Sequence, residues 1–372
     1  MRFNLRLPLL LAILLIAVSV KAQTLKPGFD KDEFTELFKA LSCQGDSIDI
    51  NGPNYIGEPS QYERIYRSEV VGLENRWDLW KKKTPAQDTY VIALRGTTAT
   101  AASWMENFYS AMVPAKGKLQ LNDSTTFEYH FADDHKAAVH VGWTVGMAYL
   151  APDIMIQLKE LIARGKLKNL YIVGHSQGGA LAFLLTSYIR HKVKAGELPK
   201  DITIKTYSSA SPKVGNLYYA YDYDYMNRGG WALSIVNTAD WVPEMPFSIQ
   251  TTNDFTDLNP FPGLPKALKM VKPFYFRWYL KSAYKKLDRS AKNAQEDYTN
   301  SLGNKLFKMV HANLPDLVKP EYVPSMNYMR AGTAVVLLPD EEYYALYPND
   351  DEKQIFRHHG MRPYLYLVEK LY

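Results

Sequence analysis

The stretch Leu170–Phe183, LYIVGHSQGGALAF, changes its pattern in the middle. Its β-branched and aromatic start is typical of a buried strand, and the small residues near its end open a helical pattern. Between the two lies the Gly-x-Ser-x-Gly sequence of residues 174–178. A strand, a sharp turn and a helix around this sequence form the arrangement that exposes a nucleophilic serine. The stretch therefore predicts Ser176 as a nucleophile, with a glycine-rich turn carrying an incidental serine as the alternative.

Other segments place this turn in an α/β sheet. Buried strands are predicted at residues 89–94, 170–173, 202–207, 231–237 and 333–338. Helices are predicted at residues 30–41, 141–164 and 178–191. Strands that alternate with long helices pair in parallel through right-handed crossovers, so we expect a mostly parallel sheet with helices on both faces. Ser176 would then lie at the carboxyl edge of the sheet, where a helix N-terminus favours a developing negative charge.

The chain between about residues 258 and 320 departs from this alternation. It opens with a proline-rich turn, NPFPGLP at residues 259–265, and then becomes basic and helical. The strand predicted at residues 333–338 follows it. Because strands resume, we interpret the segment as a helical insertion in one domain rather than as a second domain.

The first 22 residues are predicted to form an export signal. Positive residues precede an apolar run over residues 7–20, and Ala22 lies at the expected cleavage site. The run is short for a bilayer span, so cleavage is favoured over a retained membrane anchor. The mature domain, residues 23–372, has one cysteine, Cys43, which we expect to be a small buried apolar residue. Export without an internal disulfide fits a bacterial periplasm or medium.

Composition and charge exclude several classes of function. The chain is 47% hydrophobic and 22% charged, as expected for a folded globular protein. Removal of Arg2, Arg6 and Lys21 lowers the formal charge from +5 to +2. A nearly neutral protein is not expected to bind nucleic acid. The sequence has no His-Glu-x-x-His and no clustered cysteines, so no metal or other cofactor is expected in the reaction.

A catalytic serine needs a histidine as base and an acid to orient it. In a sheet with the nucleophile on this turn, the partners follow in the order Ser, acid, His. Of the eight histidines, His311, His358 and His359 follow a plausible acid. His311 lies in a helical pattern within the insertion and is interpreted as a surface or packing residue. The base is therefore expected to be His358 or His359.

The acid is expected just after the strand at residues 231–237. Asp240 lies there, and Pro243 prevents a helix from starting immediately. Alternatively, Asp240 is an aspartate that stabilises a turn or caps a helix. Asp222 and Asp224 are competing candidates in what looks like a tyrosine-rich loop before the strand.

The oxyanion of an acyl-transfer intermediate needs hydrogen-bond donors. One donor is expected to be the backbone N–H of Gln177, directly after the nucleophile. The other should follow an earlier strand. Thr97 fits this position because Gly96 lets the chain turn after the strand at residues 89–94.

Several stretches together resemble the class 3 (fungal-type) lipases of the α/β-hydrolase superfamily. Between residues 91 and 246 they occur in the family's order. They are IALRGTT, SWMENF, VHVGW, IVGHSQGGALA, YSSASPKVGN and VNTADWVPEMP. The C-terminal HHGMRPYLYLV completes the set. The resemblance implies an α/β-hydrolase fold.

The resemblance also assigns roles. It implies Ser176 as nucleophile, Asp240 as acid and Thr97 as an oxyanion residue. Members with a terminal His-x-x-x-x-Tyr-Leu pattern have their base at its histidine, and His359 fits that spacing while His358 does not.

Two further histidines receive no role in proton transfer. His140 in VHVGW matches a family position that is structural, and His175 is interpreted as a residue that only fills the motif beside the nucleophile.

In these lipases the segment after the oxyanion residue is a lid, which corresponds to residues 98–112. Trp104, Phe108 and Met112 recur every four residues, which predicts an apolar helical face. We expect this face to cover the cleft in water and to turn toward lipid at an interface. An ordinary helix buried against the core is the alternative.

The insertion departs from the family pattern. It mixes basic and aromatic residues, a combination that suits an anionic membrane surface, with a solvated helical cap as the alternative. The basic residues are Lys266, Lys269, Lys272, Arg277, Lys281, Lys285, Lys286 and Arg289. The aromatic residues are Phe274, Phe276, Trp278 and Tyr279.

Together these observations predict an exported serine carboxylester hydrolase, a lipase acting on acylglycerols or similar lipid esters. The alternatives within the same chemistry are a phospholipase A1, an esterase for soluble esters and a serine peptidase. A non-enzyme alternative is an inactive hydrolase fold that binds lipid.

Overall fold

The computed structural model of the chain describes residues 25–45, 50–52, 54–84, 88–259, 268–270 and 272–372. The predicted export signal, most of the proline-rich turn and Lys266 lie outside the described residues. Among the helices in the described part of the chain, none combines the length and the apolar character needed to cross a bilayer.

The strands follow one another along the chain as thirteen short segments within the described residues. They are β1 (Tyr62–Arg67), β2 (Trp77–Lys82), β3 (Thr89–Leu94), β4 (Met112–Pro114), β5 (Lys116–Gln120), β6 (Thr126–His130), β7 (Ala138–His140), β8 (Asn169–His175), β9 (Thr203–Ser209), β10 (Gly215–Asn216), β11 (Ala232–Asn237), β12 (Tyr328–Met329) and β13 (Thr333–Leu337).

The α-helices of the described residues are α1 (Lys31–Ser42), α2 (Ala101–Phe108), α3 (Val141–Ala163), α4 (Gln177–Lys194), α5 (Leu217–Met226), α6 (Phe274–Thr299), α7 (Leu306–Asn313), α8 (Glu341–Leu346) and α9 (Met361–Leu371). A π-helical turn, Asn300–Lys305, joins α6 to α7. Short 3₁₀ turns lie at Val242–Glu244, Thr252–Asp254, Leu268–Met270 and Arg357–His359.

The main sheet has the strand order β1-β2-β3-β8-β9-β11-β13. Every pair from β3 to β13 is parallel, while β1 and β2 form an antiparallel edge. Because all the parallel strands point the same way, their carboxyl ends meet at one edge. The predicted mostly parallel α/β sheet is therefore confirmed. A small sheet, β12-β10-β7-β4, and the hairpin β5–β6 lie beside it.

Alternate residues of the central strands face opposite sides of the sheet. Ile92 and Ile172 belong to the core formed with α3 and α4. Val91 and Val173 belong to a second core, formed with α1 and α9. Burial on both faces explains why these strands are apolar throughout instead of alternating with polar residues. Cys43 is buried in the second core, as predicted.

One local prediction is wrong. Asp222 and Asp224 were expected in a tyrosine-rich loop, but both lie in α5. Asn216 caps this helix by accepting a hydrogen bond from the Tyr219 N–H, and Tyr219 and Tyr223 are buried. The tyrosines thus supply the buried face of a helix instead of marking a loop.

The insertion is helical, as predicted, and its two ends differ. The first turns of α6 are exposed, whereas Tyr298 in its last turns is buried and its hydroxyl lies 2.5 Å from Ser110 Oγ. The next helix, α7, packs against α2. After it, β12 pairs with β10, and β13 pairs with β11. The insertion therefore lies between β11 and β12, and after it the chain returns to both sheets.

Candidate active site

The turn between β8 and α4 places Ser176 at the carboxyl edge of the main sheet. Its φ is +59°, a left-handed conformation that costs strain for a residue with a side chain. The turn is tight because its glycines allow close approach. A Cβ on Gly174 would lie 2.0 Å from the Gly178 carbonyl oxygen, and one on Gly178 would lie 2.3 Å from the Leu94 carbonyl oxygen. Only glycine fits at either position.

Three predicted residues from distant parts of the chain meet at this turn. His359 Nε2 lies 2.8 Å from Ser176 Oγ, and His359 Nδ1 lies 2.8 Å from Asp240 Oδ2. Because the carboxylate only accepts hydrogen bonds, the proton of the neutral imidazole lies on Nδ1. The Nε2 lone pair is then free to accept the proton of the serine hydroxyl. This arrangement can activate Ser176 as a nucleophile.

Two hydrogen-bond donors besides His359 hold the Asp240 carboxylate in place. It lies after β11, where Oδ1 accepts a hydrogen bond of 3.0 Å from the Val242 N–H. Oδ2 accepts a second one, of 2.8 Å, from the Tyr364 hydroxyl of α9. Asp240 is 3% exposed as a residue, and both carboxylate oxygens find hydrogen-bond partners within the protein. The sequence analysis used Tyr364 only in the terminal His-x-x-x-x-Tyr-Leu pattern and did not predict its contact with Asp240.

His175 fixes the position of His359. Burial lowers the pKa of His175 to about 3, so the ring is neutral. Its Nε2–H donates to the His359 carbonyl over 2.8 Å, and its Nδ1 accepts a hydrogen bond from Ser209 Oγ over 2.9 Å. The sequence interpretation of His175 as a residue that only fills the motif missed this contact, because the contact depends on where the C-terminal segment folds.

The competing candidates lie elsewhere. His358 Nδ1 pairs with the Tyr343 hydroxyl at 2.9 Å. Burial and the neighbouring Arg357 lower the His358 pKa. His311 is an exposed residue of α7, as predicted. The other acid candidates take backbone partners outside the site, since Asp222 accepts from the Asp133 N–H and Asp224 from the Gly332 N–H.

The loop after β3 lies against Ser176. A Cβ on Gly96 would be 3.1 Å from the His175 carbonyl oxygen and 3.8 Å from Ser176 Cβ. Thr97 follows, and its hydroxyl donates to Gln177 Oε1 over 3.0 Å. Gln177 is the first residue of α4, where the backbone N–H groups have no partner within the helix. The structure thus brings both predicted oxyanion residues beside the serine.

A side-chain network behind this loop was missed by the sequence prediction. Asn107 Nδ2 donates to Thr97 Oγ1 over 2.9 Å and lies 3.2 Å from Gln177 Oε1. Its Oδ1 accepts from the Trp143 indole, and its carbonyl pairs with His140 Nε2 at 3.0 Å. Burial lowers the pKa of His140 to about 3, so this histidine is neutral and holds Asn107 in place. The SWMENF stretch contains Asn107, but the sequence did not predict its contacts with Thr97 and Gln177.

Glu106 is a second residue that the sequence prediction missed. Its side chain is fully buried, and its Oε2 accepts a hydrogen bond from Asn75 Nδ2. Asn75 Oδ1 in turn lies 3.4 Å from Gln177 Nε2. Burial raises the pKa of Glu106 to about 8, so the carboxyl is protonated at neutral pH. A neutral acid therefore supports the oxyanion loop from behind.

Aromatic rings lie beside His359 in the candidate site. Phe356 lies 5.8 Å from the His359 ring, 5.8 Å from Trp104 and 5.3 Å from Trp241, measured between ring centroids. Trp104 also stacks on Phe108, which is half exposed. These rings form an apolar cluster next to the candidate base, and such a surface suits hydrocarbon chains.

The predicted lid stripe is wrong at its third residue. The helix α2 ends at Phe108, and Met112 begins β4, where it is fully buried. The helix stops because Tyr109 turns into the core, and its hydroxyl pairs with that of Tyr322 at 2.8 Å. Trp104 and Phe108 do lie together on the surface. A lid movement of α2 stays a prediction.

One group of side chains outside this site has the residue types and the proximity to hold a metal ion. Within the described residues, His130, Asp133 and His191 place ligand atoms within 4.8 Å of one another. His191 is near the opposite end of α4 from Ser176, so this cluster is separate from the candidate catalytic residues.

Comparisons with known proteins agree with the resemblance. Residues 91–250 match the model of the family described as lipase (class 3). A secreted mono- and diacylglycerol lipase A of Penicillium cyclopium is 35% identical over 94 residues, which are 25% of this chain and 28% of that protein. The secreted mono- and diacylglycerol lipase MDL4 of Malassezia globosa is 28% identical over 200 residues, which are 52% of this chain and 54% of that protein. The chain thus spans about half or less of these relatives.

Solved lipase structures are also similar to parts of the chain. A mutant form of MDLA from Penicillium cyclopium has a TM-score of 0.41 and 20% identity, covering 58% of this chain and 74% of that one. The Lip2 lipase of Yarrowia lipolytica has a TM-score of 0.43 and 17% identity, covering 60% of this chain and 78% of that one.

The relatives give no support for the predicted source, whereas the family match supports the predicted resemblance. These relatives are fungal, so the prediction of a bacterial source finds no support in them. The family match covers the nucleophile turn, the oxyanion loop and Asp240, and it ends before the insertion and His359. Over residues 91–250, the chain is therefore similar to the class 3 lipase family.

Proposed function

We propose that the chain is a serine carboxylester hydrolase that cleaves lipid esters of the acylglycerol class. The observation that carries the proposal is the hydrogen-bond chain from Ser176 through His359 to Asp240. The names of the relatives, mono- and diacylglycerol lipases, support the choice of substrate.

Acylation begins at Ser176. Its Oγ attacks the ester carbonyl carbon while His359 Nε2 takes the hydroxyl proton, and Asp240 stabilises the imidazolium that forms. The carbonyl oxygen becomes an oxyanion, which accepts hydrogen bonds from the Gln177 N–H and from Thr97. The imidazolium then gives its proton to the departing alcohol as the ester C–O bond breaks. The acyl group remains on Ser176.

Deacylation repeats these steps with water. His359 Nε2 takes a proton from a water molecule, whose oxygen attacks the acyl carbon. The tetrahedral oxyanion again faces Thr97 and Gln177. As it collapses, the bond to Ser176 Oγ breaks and the imidazolium returns the proton to the serine. A free carboxylic acid leaves, and the enzyme is regenerated without any other reactant.

The aromatic rings beside His359 suit the acyl chain. Rings of Trp104, Phe108, Trp241 and Phe356 offer apolar surface next to His359, which would lower the cost of holding a hydrocarbon chain at the reacting carbonyl. The half-exposed rings would also contact the surface of a lipid aggregate. The substrate is therefore expected to be an ester presented at an interface.

A phospholipase A1 activity is the second candidate, and the first turns of α6 favour it. Phe274, Tyr275, Trp278 and Tyr279 are exposed there, and Lys281 and other basic residues accompany them. Exposed aromatic and basic groups on one helix suit the interface of an anionic bilayer. Such a surface would bring the site to phospholipids.

Export is part of the proposal. The relatives are named secreted lipases, and residues 1–22 have the pattern of a cleaved signal. Mass spectrometry of the protein recovered outside the cytoplasm should give Gln23 as the first residue. An intact N-terminus would favour a retained anchor instead.

A fluorophosphonate probe tests the enzyme proposal directly, because it labels only an activated serine. We expect stoichiometric labelling of the wild type and none of Ser176→Ala. Ser124→Ala, at an exposed turn, is the matched control and should label normally. Absence of labelling in the wild type would favour an inactive lipid-binding protein. Equal labelling of Ser176→Ala would defeat the proposed nucleophile.

A substrate panel separates the remaining candidates. Hydrolysis of mono-, di- and triacylglycerols, of anionic and zwitterionic phospholipid vesicles and of short soluble esters is measured against Ser176→Ala. Preference for acylglycerols supports the main proposal. Preference for anionic phospholipid would replace it with the second candidate, and turnover of soluble esters alone would indicate a simple esterase.

A further inference from the structure

Two histidines stack at the end of α4 opposite to Ser176. His191 lies in the last turns of this helix and His130 ends β6, and their ring centroids are 3.8 Å apart with the planes 14° from parallel. At 1.5 Å per residue, His191 is about 22 Å along the helix from Ser176. The pair therefore belongs to a different site from the candidate active site.

The His191 ring is buried and poorly satisfied. The residue is 5% exposed, and neither ring nitrogen makes a hydrogen bond of good geometry, although the Phe131 carbonyl lies near. A buried polar group without a partner is costly, and an ion is one of the partners that satisfies it.

Two carboxylates face the stacked pair. Asp133 Oδ1 lies 2.8 Å from His130 Nε2 and 3.9 Å from His191 Nδ1. On the other side of the His191 ring, Asp222 Oδ1 lies 3.9 Å from Nε2 and has no hydrogen-bond partner. The remaining oxygens are engaged, since Asp133 Oδ2 accepts from Lys194 Nζ and Asp222 Oδ2 from the Asp133 N–H. One oxygen of each carboxylate is thus directed at the histidines.

We propose that His130, His191 and Asp133 bind a divalent transition-metal ion, with zinc as the best-suited member of this class. Two imidazoles and one carboxylate form a common zinc ligand set. On tetrahedral zinc, ligand atoms lie about 3.3 to 3.6 Å apart. The three ligand atoms here lie within 4.8 Å of one another, so closure on an ion needs side-chain movements of about 1 Å. It also needs an imidazole ring to rotate, because the lone pairs of the two stacked rings lie in nearly parallel planes.

Asp222 completes this site without touching the ion. When His191 binds metal through Nδ1, its Nε2–H points at Asp222 Oδ1, and such a carboxylate fixes the tautomer and orientation of a ligand histidine. Lys194 neutralises the outer oxygen of Asp133 and leaves Oδ1 for the metal. The ion would tie together β6, the loop that follows it, α4 and α5. Its role is therefore structural, and ester hydrolysis does not depend on it.

The test uses the untagged, EDTA-treated chain and zinc chloride. Isothermal titration should give one zinc per chain, and cobalt chloride should give the visible absorption of a tetrahedral site. Zinc at about 100 times its Kd should raise the Tm by roughly 3 to 6 °C. His130→Gln should lower the affinity at least tenfold and Asp222→Asn about tenfold.

The matched control is His135→Gln, because His135 is an exposed histidine two residues after Asp133. Its zinc affinity should equal that of the wild type. Failure of the wild type to bind zinc, or equal affinity in His130→Gln, would overturn the proposal. His130 is partly exposed, so its variant should fold even where His191→Gln does not; circular dichroism in EDTA checks this. Fluorophosphonate labelling is independent of every outcome.

Discussion

The candidate active site and the first turns of α6 both carry residues suited to lipid esters, but they are held very differently. At the active site, Ser176, His359 and Asp240 each have a partner within about 3 Å, and these partners come from three distant parts of the chain. In α6, Phe274 and Trp278 are 74% and 71% exposed. One region is fixed by tertiary contacts, and the other is defined by its own helix.

This difference in tertiary contacts matches two different requirements, one for catalysis and one for binding to a lipid surface. A reacting bond needs groups held to within a fraction of an ångström, which only a packed sheet edge provides. A lipid surface needs only a broad face of suitable character. At 100° per residue, the aromatic residues of α6 from Phe274 to Tyr279 cover about 200° of the helix, and Arg277 and Lys281 lie on the remainder. Substitutions should therefore have large effects in the first region and graded effects in the second.

The largest effect is expected from the two adjacent histidines. His359→Ala should lower kcat about 10⁴-fold or more, because Ser176 loses its base. His358→Ala is the matched control and should stay within about tenfold of the wild type, since its ring contacts Tyr343 instead of the serine. Steady-state hydrolysis of a soluble ester measures both. Equal losses would show that the contacts at the sheet edge do not decide the chemistry.

The tightness of the nucleophile turn gives the next largest effect. Gly178→Ala should lower the free energy of unfolding by more than about 3 kcal/mol, because its Cβ would lie 2.3 Å from the Leu94 carbonyl oxygen. Gly196→Ala has open space at a φ of +78° and should cost only about 1 kcal/mol. Urea unfolding compares the two. A Gly178→Ala protein as stable as Gly196→Ala would contradict the close approach.

The oxyanion loop should respond through kcat alone. Thr97→Val removes, with little change in shape, a hydroxyl that would turn from Gln177 Oε1 toward the oxyanion, and it should lower kcat about 10²-fold with KM nearly unchanged. Thr98→Val is the control, because the Thr98 hydroxyl pairs with Thr100 on the surface. A rise in KM without a change in kcat would mean that Thr97 binds the substrate in the ground state instead.

Burial of Glu106 predicts a pH effect on stability. In the folded state its pKa is raised to about 8, whereas in the unfolded chain it ionises near 4.5. The folded state thus keeps a proton that the unfolded state releases, so the free energy of unfolding falls as the pH rises from 4.5 to 8. Glu106→Gln removes this loss. Its stability relative to the wild type should improve by about 2 kcal/mol or more between pH 5 and pH 8.

Urea unfolding at both pH values checks this prediction. The comparison with the wild type cancels the other titrating carboxyl groups. A difference between the two proteins that does not change with pH would mean that Glu106 is already ionised in the folded state.

The smallest effect is expected in α6. Replacing Phe274 and Trp278 with serine should weaken binding to anionic vesicles about tenfold, because apolar surface no longer enters the interface. Ile156→Ser removes an exposed apolar residue of α3 and serves as the control. Vesicle sedimentation measures binding. Unchanged binding would identify the helix as a solvated cap.

Much of the fold could be predicted because its causes are local. The apolar runs that form β3, β8 and β11 are buried on both faces, and helices of clear periodicity lie between them. The candidate acid and base were predicted for a related reason. Chain order in a parallel sheet determines which loops reach the carboxyl edge, so Asp240 and the C-terminal histidines could be selected by position.

Residues that act through tertiary contacts could not be predicted in this way. His175, Asn107 and Glu106 lie in motifs that the sequence displays, but their partners come from other segments of the chain. Met112 shows the opposite error. Its spacing continued the pattern of α2, but the buried Tyr109 ended the helix and placed Met112 in a strand.

The sequence by itself predicted the chain order of the candidate site and narrowed the candidate base to two neighbouring residues. The resemblance to the class 3 lipases then favoured His359 through its terminal spacing pattern. Only the tertiary structure decided where each ring lies. The 3₁₀ turn Arg357–His359 directs successive side chains about 120° apart. His359 therefore points to Ser176, and His358 points to Tyr343. Adjacent residues of the same type have the same local pattern, and only the surfaces packed against them distinguish their roles.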